Sequence, residues 1–275
     1  MPPASQRHAS SAAKLLAWLL ALSALAVALP ARADESASSA DMAAALTALV
    51  GHPSTVSDDM NQAVLAPWPH APAGASTVWV IAALLPAPND DGTPELWTGV
   101  LKRSDQGFDL IARDARGKID DFGFPVWHPS LQLDLIPYRI AADDIAFGVR
   151  VLDDYNSTAH ADNYGAIRLY HMNGRTLVPI FDALTSMSIY DKDEVAQCVE
   201  ALKRGKKEPT DDAQSRCDVD GTTSADYVLA FSRNMTRGHF DLLVRTRAAK
   251  GKPVRLVKRA VWNGTTYQPR VFDSE

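Results

Sequence analysis

Short runs of alternating apolar and polar residues recur along this chain from Thr77 onward, with turn-forming residues between them. Successive side chains of a β-strand point to opposite faces, so a period of two predicts strands with one buried face. Such runs begin at Val78, Leu96 and Phe108 and return near the C-terminus. The pattern therefore predicts an all-β fold made of antiparallel hairpins.

Three of these predicted hairpins share one form, in which a strand leads through a short glycine-containing turn into the next strand. Gly107, Gly174 and Gly264 mark the turns, and an asparagine precedes the second and third glycines. Asn-Gly between two apolar runs is a strong hairpin signal. The repeated hairpin predicts a meander that is β-propeller-like, and a β-sandwich built from similar hairpins is the alternative.

Two segments have helical rather than strand-like patterns. Met42 to Val50 is predicted as a short helix, with Asp41 as its N-cap and Gly51 as its stop. Glu194 to Arg204 is predicted as a second short helix, next to the first cysteine. Prolines are frequent between positions 53 and 72, so this stretch is predicted to be irregular.

The N-terminal segment has the three parts of a secretory signal peptide. Arg7 and Lys14 form a basic region, Leu15 to Leu29 is an apolar run, and Ala31-Arg32-Ala33 is a cleavage motif. The apolar run is shorter than the roughly 20 residues that span a bilayer. We therefore predict a signal peptide at 1–33 and a periplasmic or secreted protein.

The remaining chain is predicted to have two parts. Residues 34–75 form an N-terminal extension, partly helical or irregular, and residues 76–275 form a single β-rich domain. No later run reaches the roughly 18 apolar residues of a spanning helix, so we expect no membrane span after cleavage.

Cys198 and Cys217 are the two cysteines of the chain. In an oxidising compartment two lone cysteines favour a disulfide, and two are too few for a zinc ribbon. Their spacing is not the C-x-x-C that lowers a thiol pKa for redox chemistry. The sequence therefore predicts a structural Cys198–Cys217 bridge.

Motifs for common catalytic chemistries are missing from the sequence. There is no G-x-S-x-G, and the histidines form no H-E-x-x-H pair. We therefore predict no catalytic residue, no metal site and no cofactor, and an enzyme is the less favoured class.

Paired carboxylates are the feature that keeps a hydrolase open as an alternative. A glycosidase needs two carboxyl groups about 5–10 Å apart. Adjacent strand residues face opposite ways, and each doublet falls in a predicted turn. The segment 153–163 is also rich in oxygen ligands, but its spacing matches no calcium loop. The doublets begin at Asp58, Asp90, Asp120, Asp143, Asp153 and Asp211.

The segment Gly238 to Val244 resembles the tail of the calcium-loop repeat in FG-GAP-type β-propellers. Aligned on Gly238, Asp241 and Leu242 match that repeat. The closing Trp262 to Tyr267 is similar to the last hairpin of exported bacterial proteins of this kind. The three earlier calcium-ligand positions fall on Arg233, Met235 and Arg237.

Those three side chains are not calcium ligands, so the resemblance implies a strand that survives while its metal site is lost. Some propeller-like relatives are immunity proteins that block secreted lysozyme-like toxins. The resemblance therefore implies an inhibitor or immunity protein for this chain.

A basic segment near the C-terminus is the strongest charge feature. Residues 34–200 hold 10 basic and 24 acidic residues, whereas residues 201–275 hold 15 basic and nine acidic residues. Between Arg245 and Arg259 there are seven basic residues and no acid, flanking a predicted turn at Ala248 to Pro253. The candidate partner-binding residues are Arg245, Arg247, Lys250 and Lys252.

Two interpretations of this basic hairpin remain open. Charged edge strands resist aggregation, and cations also attract an anionic partner. Nucleic acid is not the expected partner, because the mature chain is acidic overall and exported.

The leading hypothesis is a non-enzymatic exported protein that binds a macromolecular partner, as an inhibitor or immunity protein. Its partner is expected to be a protein or an anionic envelope polymer. The alternatives are an envelope glycan hydrolase that uses aspartate carboxylates, and a structural or polymer-binding envelope component. The sequence does not indicate an oligomeric state.

Overall fold

A computed structural model describes residues 37–54, 62–71, 78–86, 94–118, 122, 128–158, 160–204, 217, 222–248 and 253–270. The predicted signal peptide at 1–33 lies outside the described residues.

Within these ranges the chain forms two helices and twelve strands, which confirms the all-β prediction. Neither described helix has the length and apolarity needed to cross a bilayer. The helices are α1 (Ser39–Val50) and α2 (Lys192–Arg204). The strands are β1 (Ala63–Pro67), β2 (Val78–Leu85), β3 (Glu95–Ser104), β4 (Gly107–Lys118), β5 (Pro129–Ala141), β6 (Asp144–Asn156), β7 (His160–Asn173), β8 (Thr176–Asp191), β9 (Thr222–Thr236), β10 (His239–Thr246), β11 (Leu256–Trp262) and β12 (Tyr267–Gln268).

All twelve strands belong to one mixed sheet. Its main path runs β1-β2-β3-β4-β8-β9-β10-β11-β12, and β5, β6 and β7 form a branch that joins at β8. Neighbours in sequence pair antiparallel, as in β3–β4, β7–β8 and β11–β12. The parallel pairing is a single contact between Arg113 of β4 and Thr176 of β8. The three glycine-turn hairpins predicted from the sequence are thus all present.

Three hydrophobic clusters form the core, and two of them lie between successive sections of the sheet. The first is shared by β2, β3 and β4 with β5, β6 and β7, and Val100 and Phe147 are both fully buried in it. The second lies between the β5–β8 section and the β10–β12 section, and Leu169 and Leu242 belong to it. The β6–β7 region is therefore buried on both faces, which places β10 and β11 in an outer section.

The third cluster holds the N-terminal helix against the sheet. Leu46 and Leu49 of α1 pack with Ile81 of β2 in this cluster. The helix lies so close that a Cβ at Gly99 of β3 would sit 2.6 Å from Leu49 Cδ1. The N-terminal extension thus packs on the β-rich domain through α1 and adds β1 beside β2.

Two local predictions in the extension are wrong. The N-cap of α1 is Ser38 rather than Asp41, because Ser38 and Asp41 form a reciprocal capping box. The proline-rich stretch contains strand β1, which ends at Pro67. Proline is tolerated there because β1 pairs with β2 on one side and with no described strand on the other.

A disulfide joins the middle of the second helix to Cys217. Cys198 of α2 is bonded to Cys217, with their Cα atoms 5.6 Å apart. Tyr190 and Asp191, just before α2, pair with the start of β7. Both cysteines lie in the connection between β8 and β9, so the bridge closes a loop within that connection.

Removing this bridge should lower stability measurably. Replacement of both cysteines by serine should lower the free energy of unfolding by about 3 kcal/mol, because the unfolded chain loses a closed loop of about 20 residues. Urea unfolding of the oxidised wild type and the double variant measures the difference. Wild-type protein treated with reductant should match the variant, and equal midpoints for all three samples would contradict the prediction.

Candidate partner-binding surface

The hairpin of β10 and β11 carries the candidate binding residues. A two-residue turn at Arg237 and Gly238, both with positive φ, leads from β9 into β10. Strand β10 pairs antiparallel with β9 on one side and with β11 on the other. The buried Leu242, Val244 and Ala260 anchor both strands in the second hydrophobic cluster. The far end of the hairpin, beyond Val244, extends away from that anchor.

The structure places the four candidate cations as follows. Arg245 is exposed on β10, opposite Leu256 of β11 at a register shift. Arg247 is also exposed, and its Nε lies 2.8 Å from Asp226 Oδ2. Lys250 and Lys252 lie outside the described residues.

Neighbouring cations differ in whether a carboxylate already neutralises them. The Arg259 guanidinium makes two hydrogen bonds to the fully buried Asp241, which also accepts a 2.7 Å hydrogen bond from Thr236 Oγ1. Within the described part of the chain, Arg245 and Arg255 have no ion pair of this kind, although both are exposed.

Asp241, which the sequence aligns with the FG-GAP-type repeat, is fully buried on β10. Arg233 and Met235, at two of the earlier ligand positions, lie on β9, and Arg237 lies in the turn. In the structure Asp241 forms an ion pair with the Arg259 guanidinium. The described residues also hold no group of three or more side chains suited to a metal.

Exposed aliphatic side chains accompany the unpaired arginines, and sequence reasoning missed them. Val254 is 50% exposed, Leu256 58% and Val257 44%. The available signal was the adjacent pair Leu256-Val257, since neighbours on one strand cannot both face a core. The other described large apolar side chains of similar exposure are Ile136, Leu152 and Met235, on three different strands.

We call this group the basic-apolar hairpin end. Its three aliphatic side chains lie within four successive residues of the chain, and a concentration of exposed apolar side chains is typical of an interaction site. Its members are Arg245, Arg247, Val254, Arg255, Leu256 and Val257.

The outer side of β11 is mostly unpaired. Strand β12 pairs with β11 only at Val261 and Trp262. Among the described residues, no strand pairs with β11 on that side from Leu256 to Ala260. The basic-apolar hairpin end thus adjoins a stretch of β11 whose outer side pairs with no described strand.

A second group of polar side chains lies inside the protein. Arg168 of β7 and Asp182 of β8 face each other, with Arg168 Nε 2.6 Å from Asp182 Oδ1, and both are less than 4% exposed. The Arg168 guanidinium lies 4.8 Å from the centre of the Phe122 ring. Arg270 adds a second cation 3.6 Å from Asp182 Oδ2.

This buried group extends to the first section of the sheet. Burial raises the pKa of Asp114 on β4, while the Arg168 charge and a Tyr170 hydrogen bond act in the opposite direction. Thr98 of β3 and Tyr170 are both fully buried nearby. The Arg168 charge acts on Asp114 as well as on Asp182, so the electrostatics of this group connect β4 to β7 and β8.

The raised pKa of Asp114 predicts a pH-dependent effect on stability. The folded state disfavours the charged carboxylate of Asp114, so the ionised side chain lowers the free energy of unfolding at neutral pH. That free energy is recovered as the pH falls through the raised pKa and the carboxyl becomes protonated. Asp114→Asn should therefore be more stable than wild type at about pH 7.5, and the difference should shrink toward about pH 4. Urea unfolding across this range measures the effect, and a difference that grows on acidification would contradict it.

The aspartate doublets do not form catalytic pairs where the structure describes them. Asp144 binds His171, with Oδ2 2.8 Å from Nε2, whereas Asp143 lies in the preceding turn. The predicted turn at Asp153-Asp154 is wrong, because both residues lie on β6. Asp153 is buried and accepts a 2.7 Å hydrogen bond from the His128 N–H, and Asp154 is exposed. The other doublets lie outside the described residues.

No protein-family model, no curated protein and no solved structure matches this chain. The functional conclusion therefore rests on its own residues.

Proposed function

We propose that this chain is an exported, non-catalytic protein that binds an acidic protein partner through the basic-apolar hairpin end. The observation that carries the proposal is the exposure of Val254, Leu256 and Val257 beside two arginines without a described acidic partner. Interfaces of this type combine an apolar centre with charges at the rim.

Edge protection alone does not account for this surface. Lysine and arginine are sufficient to keep an edge strand from aggregating. Exposed aliphatic side chains work against that purpose, because they promote association. Their presence beside the cations favours recognition of a partner. It also favours a protein over a purely polar anionic polymer, for which charge alone would serve.

The charge distribution of the chain supports an acidic partner. Residues 34–200 carry an excess of 14 negative charges, and the C-terminal segment carries an excess of six positive charges. A polarised protein attracts an acidic partner to its basic end and repels it elsewhere. Electrostatics of this kind direct the orientation of binding.

An inhibitor or immunity function is the form of binding we propose. The segment that resembles FG-GAP-type propeller repeats is strand β10, one of the two strands of this hairpin. The predicted signal peptide and the Cys198–Cys217 disulfide support an exported protein. The hydrolase alternative has no support from the described doublets, whose members face different surroundings.

The binding proposal predicts the effect of two kinds of variant. Arg245→Glu with Arg255→Glu, and separately Val254→Ser with Leu256→Ser, should each weaken partner binding at least about 10-fold. The matched control is Arg175→Glu, an exposed arginine in the β7–β8 turn, which should leave binding unchanged.

Affinity capture by the mature oxidised protein tests this prediction. Envelope extracts and culture supernatants of competing bacteria serve as sources, and captured proteins are quantified by mass spectrometry. An acidic protein retained by wild type and Arg175→Glu, and lost with both hairpin variants, is the expected result. Equal capture by all four proteins would overturn the proposal.

A further inference from the structure

We infer that the partner binds by adding an extended acidic segment as a new strand beside β11. This inference rests on the proposed function and specifies the mode of binding and the chemistry of the partner. It joins two features of β11 and the residues beside it: a backbone edge that no described strand pairs with, and a side-chain surface that is both basic and aliphatic.

The backbone of β11 supplies the first half of the argument. From Leu256 to Ala260 the strand is hydrogen-bonded to β10 on one side, and no described strand covers the other side. An open edge presents N–H and C=O groups at regular spacing, which is a template for an incoming strand. Recognition by strand addition uses these groups for affinity and neighbouring side chains for specificity.

The side chains along β11 define what the added strand must carry. The order Val254-Arg255-Leu256-Val257-Lys258-Arg259 interleaves aliphatic and basic residues. Cross-strand neighbours pair apolar with apolar and opposite charge with opposite charge. Arg255 meets no described carboxylate, whereas Arg259 is held by Asp241. An incoming segment that places a glutamate opposite Arg255 and an aliphatic residue opposite Leu256 satisfies both requirements at the hairpin end.

Strand addition is distinguished from simple charge attraction by the backbone of the ligand. The probe is a blocked octapeptide of alternating valine and glutamate, labelled for fluorescence anisotropy. Its matched control is the same peptide N-methylated at alternate residues, which keeps charge and side chains but loses the N–H donors of one edge. We expect the unmethylated peptide to bind the mature protein at least 10-fold more tightly than the control. Amides of Leu256 to Ala260 should exchange more slowly in its presence.

Several outcomes would overturn strand addition. If the two peptides bind equally well, the surface binds its partner by charge attraction and not by strand addition. If neither peptide binds, the edge of β11 is not a binding site for such a segment. Binding to vesicles containing anionic phospholipid, without peptide binding, assigns the surface to lipid. Stronger peptide binding after truncation at Arg270 assigns the edge to residues 271–275 of this chain.

These failures are separate from a failure of the proposed function. Partner capture that is insensitive to the Arg245→Glu, Arg255→Glu pair overturns the proposed function itself. Capture that remains sensitive to that pair, together with equal peptide binding, overturns only the strand-addition mode.

Discussion

Arg168→Met is expected to lower the free energy of unfolding by about 3–5 kcal/mol, because it leaves Asp182 as an incompletely paired buried charge. Both residues of the pair are less than 4% exposed, and their contact distance is 2.6 Å. Arg270, which is 44% exposed on its side chain and 3.6 Å from Asp182, is too distant to replace the direct contact. The methionine keeps much of the side-chain volume, so the loss reports the charge rather than a cavity.

The double variant Arg168→Met, Asp182→Leu separates the charge from the packing. It should recover most of the loss, because both partners are then apolar. The surface control is Arg247→Ala, whose ion pair with Asp226 is well exposed and should contribute less than about 1 kcal/mol. Urea unfolding of the four proteins measures these differences. If the free energy of unfolding of Arg168→Met lay within about 1 kcal/mol of the wild-type value, this would contradict a tightly buried ion pair.

Trp68→Ala is expected to destabilise the protein by about 3–5 kcal/mol, since it removes a large side chain from a packed core. Trp68 is 1% exposed and belongs to the first hydrophobic cluster. Its ring lies 4.9 Å from that of Phe147 on β6, in an edge-to-face arrangement. The residue directly follows β1, so its effect measures how firmly the N-terminal extension is joined to the rest of the fold.

The neighbouring His70→Ala is the matched control for this prediction. His70 is exposed in the turn after Trp68, and its replacement should change stability by less than about 0.5 kcal/mol. Denaturant unfolding compares both variants with wild type. If Trp68→Ala were as stable as His70→Ala, residues 62–71 would not belong to the core.

Local sequence patterns predicted most strands because their apolar residues and the glycine turns between them are visible along the chain. They failed where a polar residue has a specific buried partner. The period-two pattern ends this strand at Val151, but β6 continues through Asp153. Asp153 is accommodated inside the fold because it accepts a hydrogen bond from the backbone N–H of His128. The N-terminus of α1 was mispredicted for a similar reason. We assigned the N-cap to Asp41 alone, whereas Ser38 is the N-cap and Asp41 hydrogen-bonds back to it in a capping box.

The arrangement of the sheet was not predictable from local patterns. The pairing of β8 with β9, and the single contact of β4 with β8, join segments that are distant in sequence. The cations of the candidate surface were predicted because charge is visible in the sequence. The ion pairs of these cations were not predictable from the sequence. The sequence alone therefore could not distinguish Arg259, which is paired with Asp241, from Arg245, for which no ion pair is described.

Amide hydrogen exchange of the mature protein, with and without the partner that it captures, tests the central claim most directly. Binding at the basic-apolar hairpin end predicts slower exchange at Arg245 to Arg247 and at Arg255 to Ala260, with the β6–β7 hairpin unchanged. Protection confined to other strands, with these amides exchanging at their free rate, would contradict the claim that this surface binds the partner.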